Sequence, residues 1–221
     1  DLAILFFLVK IFPHKKQKLI LFYFLNPIII YSIYIHSQLD IIPTALLFGS
    51  VYFLLLDKIK ISSIFFGLAL STKFHVIIAL PLVLFYLYKK QKSIKVVEYI
   101  AISFFILLLL DLPFLFSEGF LNMVLLNPKQ TLLFDTFYSI GTLKILLPIA
   151  AILMVYLHFF NQNKVNQDLL FFYFGLLFTA TVFFIYPAPA WYVWMIPFLS
   201  IYFIQNQNQK KSILLYGAFS L

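Results

Sequence analysis

Cysteine and arginine are both absent from the 221 residues of this chain. Without a thiol there can be no disulfide, thiolate nucleophile or cysteine-ligated metal site, and the redox compartment leaves no trace. All sixteen basic residues are therefore lysine, which together with the wealth of Phe, Ile and Asn carries the imprint of an AT-rich genome. Charge of either sign is scarce, at 11% of residues, against 63% hydrophobic residues and a mean hydropathy of +1.00. That balance excludes an ordinary soluble domain, in which roughly half the residues are apolar. The in/out alternation of a membrane barrel strand is missing as well, and the apolar runs are too continuous for one. What is left is helix in lipid, because backbone groups in hydrocarbon must be satisfied within their own segment. The four histidines are scattered and have no cysteines beside them, so no structural metal site is expected.

Crossing about 30 Å of hydrocarbon takes roughly 20 helical residues, and apolar stretches on that scale recur along the chain. They run from Leu2 to Phe12, Leu19 to Ile35, Ile41 to Leu56, Ile61 to Tyr88, Ile94 to Phe116, Leu143 to Phe160, Leu169 to Ile185 and Trp191 to Ile204, with a stub from Ser212 to Leu221. The fourth is too long for one helix and is interrupted by Ser71-Thr72-Lys73-Phe74-His75. It reads as a hairpin of two short or tilted helices turning at Lys73. The predicted fold class is all-α, a single polytopic transmembrane helical bundle over residues 1–221 with about eight to ten membrane helices, the hairpin included. The first residue is not Met, and Leu2 to Val9 and Ser212 to Leu221 are short for spans, so both ends are expected to be cut. The basic stretch from His14 to Lys18 follows the first apolar run, an order unlike that of a secretory signal peptide.

Lysine sets the expected orientation, since cytoplasmic loops carry its excess. Lys15, Lys16 and Lys18 share one loop, Lys58 and Lys60 a second, Lys89, Lys90, Lys92 and Lys95 a third, and Lys210 and Lys211 a fourth. The hairpin at Lys73 puts all four on one side, whereas a single crossing there would split them. The net charge of +8 is thus an orientation signal, and no nucleic-acid partner is expected. The opposite, outer face then receives Ser37-Gln38-Leu39-Asp40, the Lys73/His75 turn, the stretch from Ser117 to Thr142, and Tyr186-Pro187-Ala188-Pro189.

Polar chemistry near a membrane is costly and marks functional candidates. Asp40 would serve either as N-cap of the helix starting at Ile41 or, with His36, Ser37 and Gln38, as a group gripping hydroxyls or a metal-bound phosphate. Lys73 would either snorkel or act as a point charge on a lipid-linked phosphate, with His75 as its partner. Asp111 would mark the outer end of its helix. Leu132 to Tyr138, around Asp135, would be an amphipathic segment lying at the interface. Trp191 and Trp194 fit an interfacial aromatic belt or a platform for sugar rings.

The ordered series Leu25-Asn26-Pro27, Ser37-Gln38-Leu39-Asp40, Phe66-Gly67-Leu68-Ala69 running into Lys73, and Leu80-Pro81 resembles the middle of GT-C superfamily glycosyltransferases, in particular the polytopic mannosyltransferase-type members. Tyr186-Pro187-Ala188-Pro189-Ala190-Trp191-Tyr192-Val193-Trp194-Met195-Ile196-Pro197 is similar to their late outer segment. Ser37 stands where that pattern usually has Gly. The resemblance implies an integral membrane enzyme that transfers a hexose, mannose by the closest likeness, from a polyprenyl-phosphate donor to a glycan, lipid or protein acceptor on the extracytoplasmic side. A prokaryotic plasma membrane is the expected location. The family's general base is an acidic residue in the first outer loop, expected upstream of Asp1, so no catalytic residue is assigned here and the fragment alone is expected to be inactive. Donor-binding residues implied are Lys73 and His75 for phosphate, Gln38 and Asp40 for the sugar or a divalent cation, and Trp191 and Tyr192 for the sugar or prenyl chain. The rival reading is a transporter or permease, which also uses broken helices. Against it, the polar groups gather at one face, and no internal repeat is evident.

Overall fold

Breaks between helices are set by a few local residues in an otherwise continuous apolar sequence. The computed structural model describes residues 1–90, 92–185 and 189–205, and within them the chain is mostly helical. The first break is Asn26-Pro27. Pro27 has no N–H to continue the preceding helix, and the Asn26 side chain instead caps the next one, accepting from the Ile28 and Ile29 amides at 2.9 and 3.4 Å. The expected single span from Leu19 to Ile35 is therefore two helices, α2 (Pro13–Phe24) and α3 (Pro27–Ile35), meeting at 58°. α1 (Leu2–Ile11) precedes them. α4 (Ile41–Leu55) and α5 (Ile59–Thr72) follow, joined by a tight turn in which Asp57 takes φ +62°.

The second break falls at Lys73, where the backbone is extended between α5 and α6 (Phe74–Lys89). α6 opens as a 3-10 turn, Phe74–Ala79, and becomes α-helical from Leu80, with Pro81 in its first turn. Side-chain pairing gives the directions. Ser50 meets Ser62 and Asp40 meets Lys73, so α4 and α5 are antiparallel. Ser103 reaches the Ser63 carbonyl and Ser71 reaches Asp111, both 40 residues apart, so α5 and α7 (Ser93–Phe114) are parallel. α6, which joins them, must run antiparallel to both, which is the reversal expected at Lys73.

The lysine loops accordingly collect at one end of the fold. Lys15 donates to the Ile204 carbonyl (3.0 Å), Gln205 to Asp168 (2.6 Å) and Lys89 to the Gln162 carbonyl (2.8 Å), while Lys92 pairs with Asp57. Lys210, Lys211 and the stub from Ser212 lie outside the described residues.

Small residues let the central helices approach. The Ser50 and Tyr99 hydroxyls are 2.8 Å apart, Ser62 donates to the Ser50 carbonyl at 2.7 Å, and all three side chains are buried. A Cβ on Gly67 would sit 2.6 Å from the Ser103 carbonyl oxygen, so α5 and α7 are in backbone contact there. On the other side, α8 (Leu147–Phe160), α9 (Gln167–Phe183) and α10 (Ile196–Gln205) form an aromatic core. Phe198 packs between Phe48 at 4.6 Å and Phe174 and Phe178 at 5.4 and 5.6 Å between ring centroids.

Two expectations need correction. Leu143–Leu146 is not the start of a span but the second strand of a hairpin, β1 (Phe137–Ile140) against β2 (Leu143–Leu146), with Phe137 opposite Leu146. Gly141 at φ +59° supplies the left-handed turn residue. An entirely α-helical chain is thus replaced by a mostly helical one. Within Leu132 to Tyr138, helix covers only Leu132–Asp135, and Phe137 and Tyr138 belong to the strand.

α7 is long and apolar enough to cross a bilayer, with 22 residues and a mean hydropathy of 2.2, and only 17% of its apolar window is buried. The core helix of a soluble protein would be hidden. α7 instead turns Phe105, Leu108 and Leu109 outward, as a lipid-facing helix does. α2 and α3 together make a second, bent candidate, and the remaining apolar helices have 10 to 17 residues.

Candidate functional site

Asp40 closes the loop after α3. In that loop Ser37 adopts φ +51°, the left-handed conformation that glycine enters without strain. Asp40 precedes α4 but does not cap it: its side chain accepts nothing from the helix amides. Instead it is buried to 8% exposure and turned across the fold. Its Oδ1 forms an ion pair with Lys73 Nζ and accepts a hydrogen bond from Trp194 Nε1 at 3.0 Å. The Asp40 carbonyl accepts from the Thr44 hydroxyl at 2.8 Å, anchoring the backbone.

Lys73 reaches this carboxylate because the extended backbone at the end of α5 aims its side chain toward α4. Its ammonium lies 4.9 Å from the Trp194 ring centroid and 5.9 Å from that of Trp191, within cation–π range. The two indoles are stacked 5.2 Å apart at 16°. His75 lies flat against Trp194, with centroids 3.7 Å apart at 15°, and its Nδ1 is buried with no hydrogen-bond partner. Snorkelling and the aromatic belt are both overturned for these residues. Lys73 folds inward onto a carboxylate, and Trp191 and Trp194 are 9% and 4% exposed, too buried to anchor at an interface.

The expected donor-binding residues divide accordingly. Asp40, Lys73, His75 and Trp191 converge. Gln38 is half-buried and, among the described residues, contributes only its backbone amide, to the Ser32 carbonyl at 3.0 Å. His36 is exposed and stacks on Tyr31. Tyr192 is half-buried against the core and makes no side-chain hydrogen bond among the described residues. Tyr186, Pro187 and Ala188 lie outside the described residues, and of Pro189 and Ala190 only the backbone is described. The residue missing from the expected set is Trp194, which touches all four converging groups. Its signal was the spacing Trp191-x-x-Trp194, which puts both indoles on one side of a helical turn. Asp111 does end the α-helical part of α7, and it also accepts from the Ser71 hydroxyl at 2.7 Å, leaving Oδ2 buried without a partner.

Chemically, the cluster offers an ammonium with donors to spare, a carboxylate whose Oδ2 makes no hydrogen bond among the described residues, and two stacked indoles. An ammonium on this scale holds a phosphate as a point charge, a carboxylate accepts sugar hydroxyls, and aromatic faces pack on rings. No three His, Asp or Glu side chains converge among the described residues, so a divalent cation here would rest on Asp40 and on oxygens of the ligand.

Residues 2–124 match the profile of the family described as ALG3 protein, more than half of the chain. This chain belongs to the ALG3 protein family. That is a GT-C-like family of membrane glycosyltransferases, which favours sugar transfer over the transporter alternative. The match takes in Asp40, Lys73, His75 and Asp111, whereas Trp191 and Trp194 fall beyond it and join the ALG3-matched half only through the fold. No curated protein and no solved structure matches the chain.

Proposed function

We propose that this protein is an integral membrane mannosyltransferase that takes its sugar from a polyprenyl- or dolichyl-phosphate donor and passes it to a glycan acceptor on the non-cytoplasmic side of its membrane. Membership of the ALG3 protein family supports the reaction class and the lipid-linked donor. The observation that carries the reading into this chain is the inward-folded Lys73, paired with Asp40 and covered by Trp191 and Trp194. Lys73 holds the donor phosphate, Asp40 accepts hydroxyls of the sugar, and the indoles cover the ring or the first prenyl unit. The short apolar helices act with α7 and the bent α2/α3 pair as a polytopic bundle, with the lysine-rich end cytoplasmic. The non-cytoplasmic side is the lumen in an endoplasmic-reticulum membrane and the exterior in a prokaryotic plasma membrane. Activation of the acceptor hydroxyl by a general base falls to a carboxylate outside this cluster.

The test is sugar transfer by the full-length protein in membranes, supplied with polyprenyl-phosphate-linked mannose. Lys73→Ala and Asp40→Ala should each abolish transfer while membrane insertion stays unchanged. Normal transfer by both variants would remove the assignment.

A further inference from the structure

Lys73 does not wait with an open charge. Its ammonium is neutralised by Asp40 Oδ1, and the same oxygen is held by Trp194 Nε1 at 3.0 Å. A phosphate arriving at Lys73 therefore meets a competing anion already in contact. Two anions around one ammonium repel each other, and a carboxylate in a largely buried position is costly to leave unpaired. The arrangement nonetheless provides for separation. Trp194 holds Asp40 through its own N–H, independently of Lys73, and the Lys73 side chain, at 36% exposure, is the accessible member of the pair, while that of Asp40, at 10%, is not. The indole faces at 4.9 and 5.9 Å give the ammonium a second favourable surface along which to move without losing its charge stabilisation.

Resting on the donor-phosphate reading above, we infer that the Asp40–Lys73 ion pair is a latch: the phosphate of the lipid-linked donor takes over Lys73, and that exchange frees the Asp40 carboxylate, still positioned by Trp194, to accept a hydroxyl of the sugar. Phosphate recognition thus precedes sugar recognition, and Asp40 opposes the first step while serving the second. Two measurements on Asp40 should therefore move with opposite signs, which neither a plain structural role nor a plain binding role would give.

Binding of farnesyl phosphate, a prenyl monophosphate without a sugar, is measured by calorimetry on the full-length protein in detergent. Asp40→Asn keeps the size of the side chain and an oxygen for Trp194, and should tighten farnesyl phosphate binding roughly tenfold, on the scale of removing a contacting charge. The same variant should fail to transfer sugar. Lys73→Gln should lose the binding. Unchanged or weaker binding by Asp40→Asn, with binding still lost in Lys73→Gln, overturns the latch and leaves Lys73 as phosphate holder. Full affinity in Lys73→Gln overturns the donor-phosphate reading itself. Should Asp40→Asn fail to fold, the wild-type protein still decides: farnesyl phosphate should shift tryptophan emission as the ammonium moves off Asp40 across the indole faces, and the shift should shrink in Trp194→Phe. No shift in the wild type overturns the latch.

Discussion

At the scale of single residues, Trp194 joins the cluster. Its N–H fixes Asp40, its face lies near Lys73, and His75 stacks on it. Trp194→Phe retains a ring and removes only the donor. Loss of a hydrogen bond to a charged group costs about 1.5–3 kcal/mol, so we expect transfer to fall roughly ten- to hundredfold with little change in thermal unfolding, measured as rate in membranes and melting in detergent. Charges in an apolar sequence are conspicuous, which is why Asp40 and Lys73 could be picked out before any fold was known. The partner of each could not. Trp194 lies 154 residues from Asp40, and nothing local distinguishes a tryptophan that will be buried from one that will sit in a belt. Gln38 is the reverse case: adjacency to Asp40 suggests a shared site, but among the described residues its bond is a backbone one to the Ser32 carbonyl, while Asp40 turns to Lys73 and Trp194.

At the scale of elements, the α4/α5/α7 core depends on residues without bulk. Gly67→Leu would drive side-chain atoms into the Ser103 carbonyl and Ile106, whose Cβ is 2.8 Å from a Cβ at that position. Overpacking of this kind costs about 1–3 kcal/mol. Because α5 carries both Ser71 and Lys73 at its end, the same variant should lower transfer as well as the melting temperature in detergent, whereas a loss of stability alone would mean the site tolerates a displaced α5. Helix positions were legible because apolar runs and Pro or Lys interruptions mark them directly. The kink between α2 and α3 is invisible to hydropathy, which does not register the missing amide of Pro27 and so runs the two helices into one span. The hairpin at Phe137–Leu146 was hidden for a related reason: β2 runs without a polar gap into α8, and Gly141 was the one residue pointing to a turn.

At the scale of the whole molecule, alternation of direction from α4 to α7 sends the polar cluster and the lysine loops to opposite ends, as the lysine distribution alone suggested. The absence of native cysteine from this chain makes the arrangement simple to test. Ser37 and Lys58 are both exposed and lie at opposite ends. Single cysteines at Ser37 and Lys58 in sealed vesicles should react with an impermeant maleimide from opposite sides, Ser37→Cys from the non-cytoplasmic one. Labelling from the same side would refute the proposed topology. The distance along the chain between the two halves of the cluster also bears on biosynthesis. Asp40 and Lys73 leave the ribosome long before Trp191 and Trp194, so a nascent chain that has completed α7 carries an ion pair with no indole cover beside lipid. The segment that shields it is made late relative to α4–α7, which gives insertion machinery a reason to retain the early helices until Trp191 and Trp194 have followed, and makes truncation before Trp191 as damaging as a change at Lys73 itself.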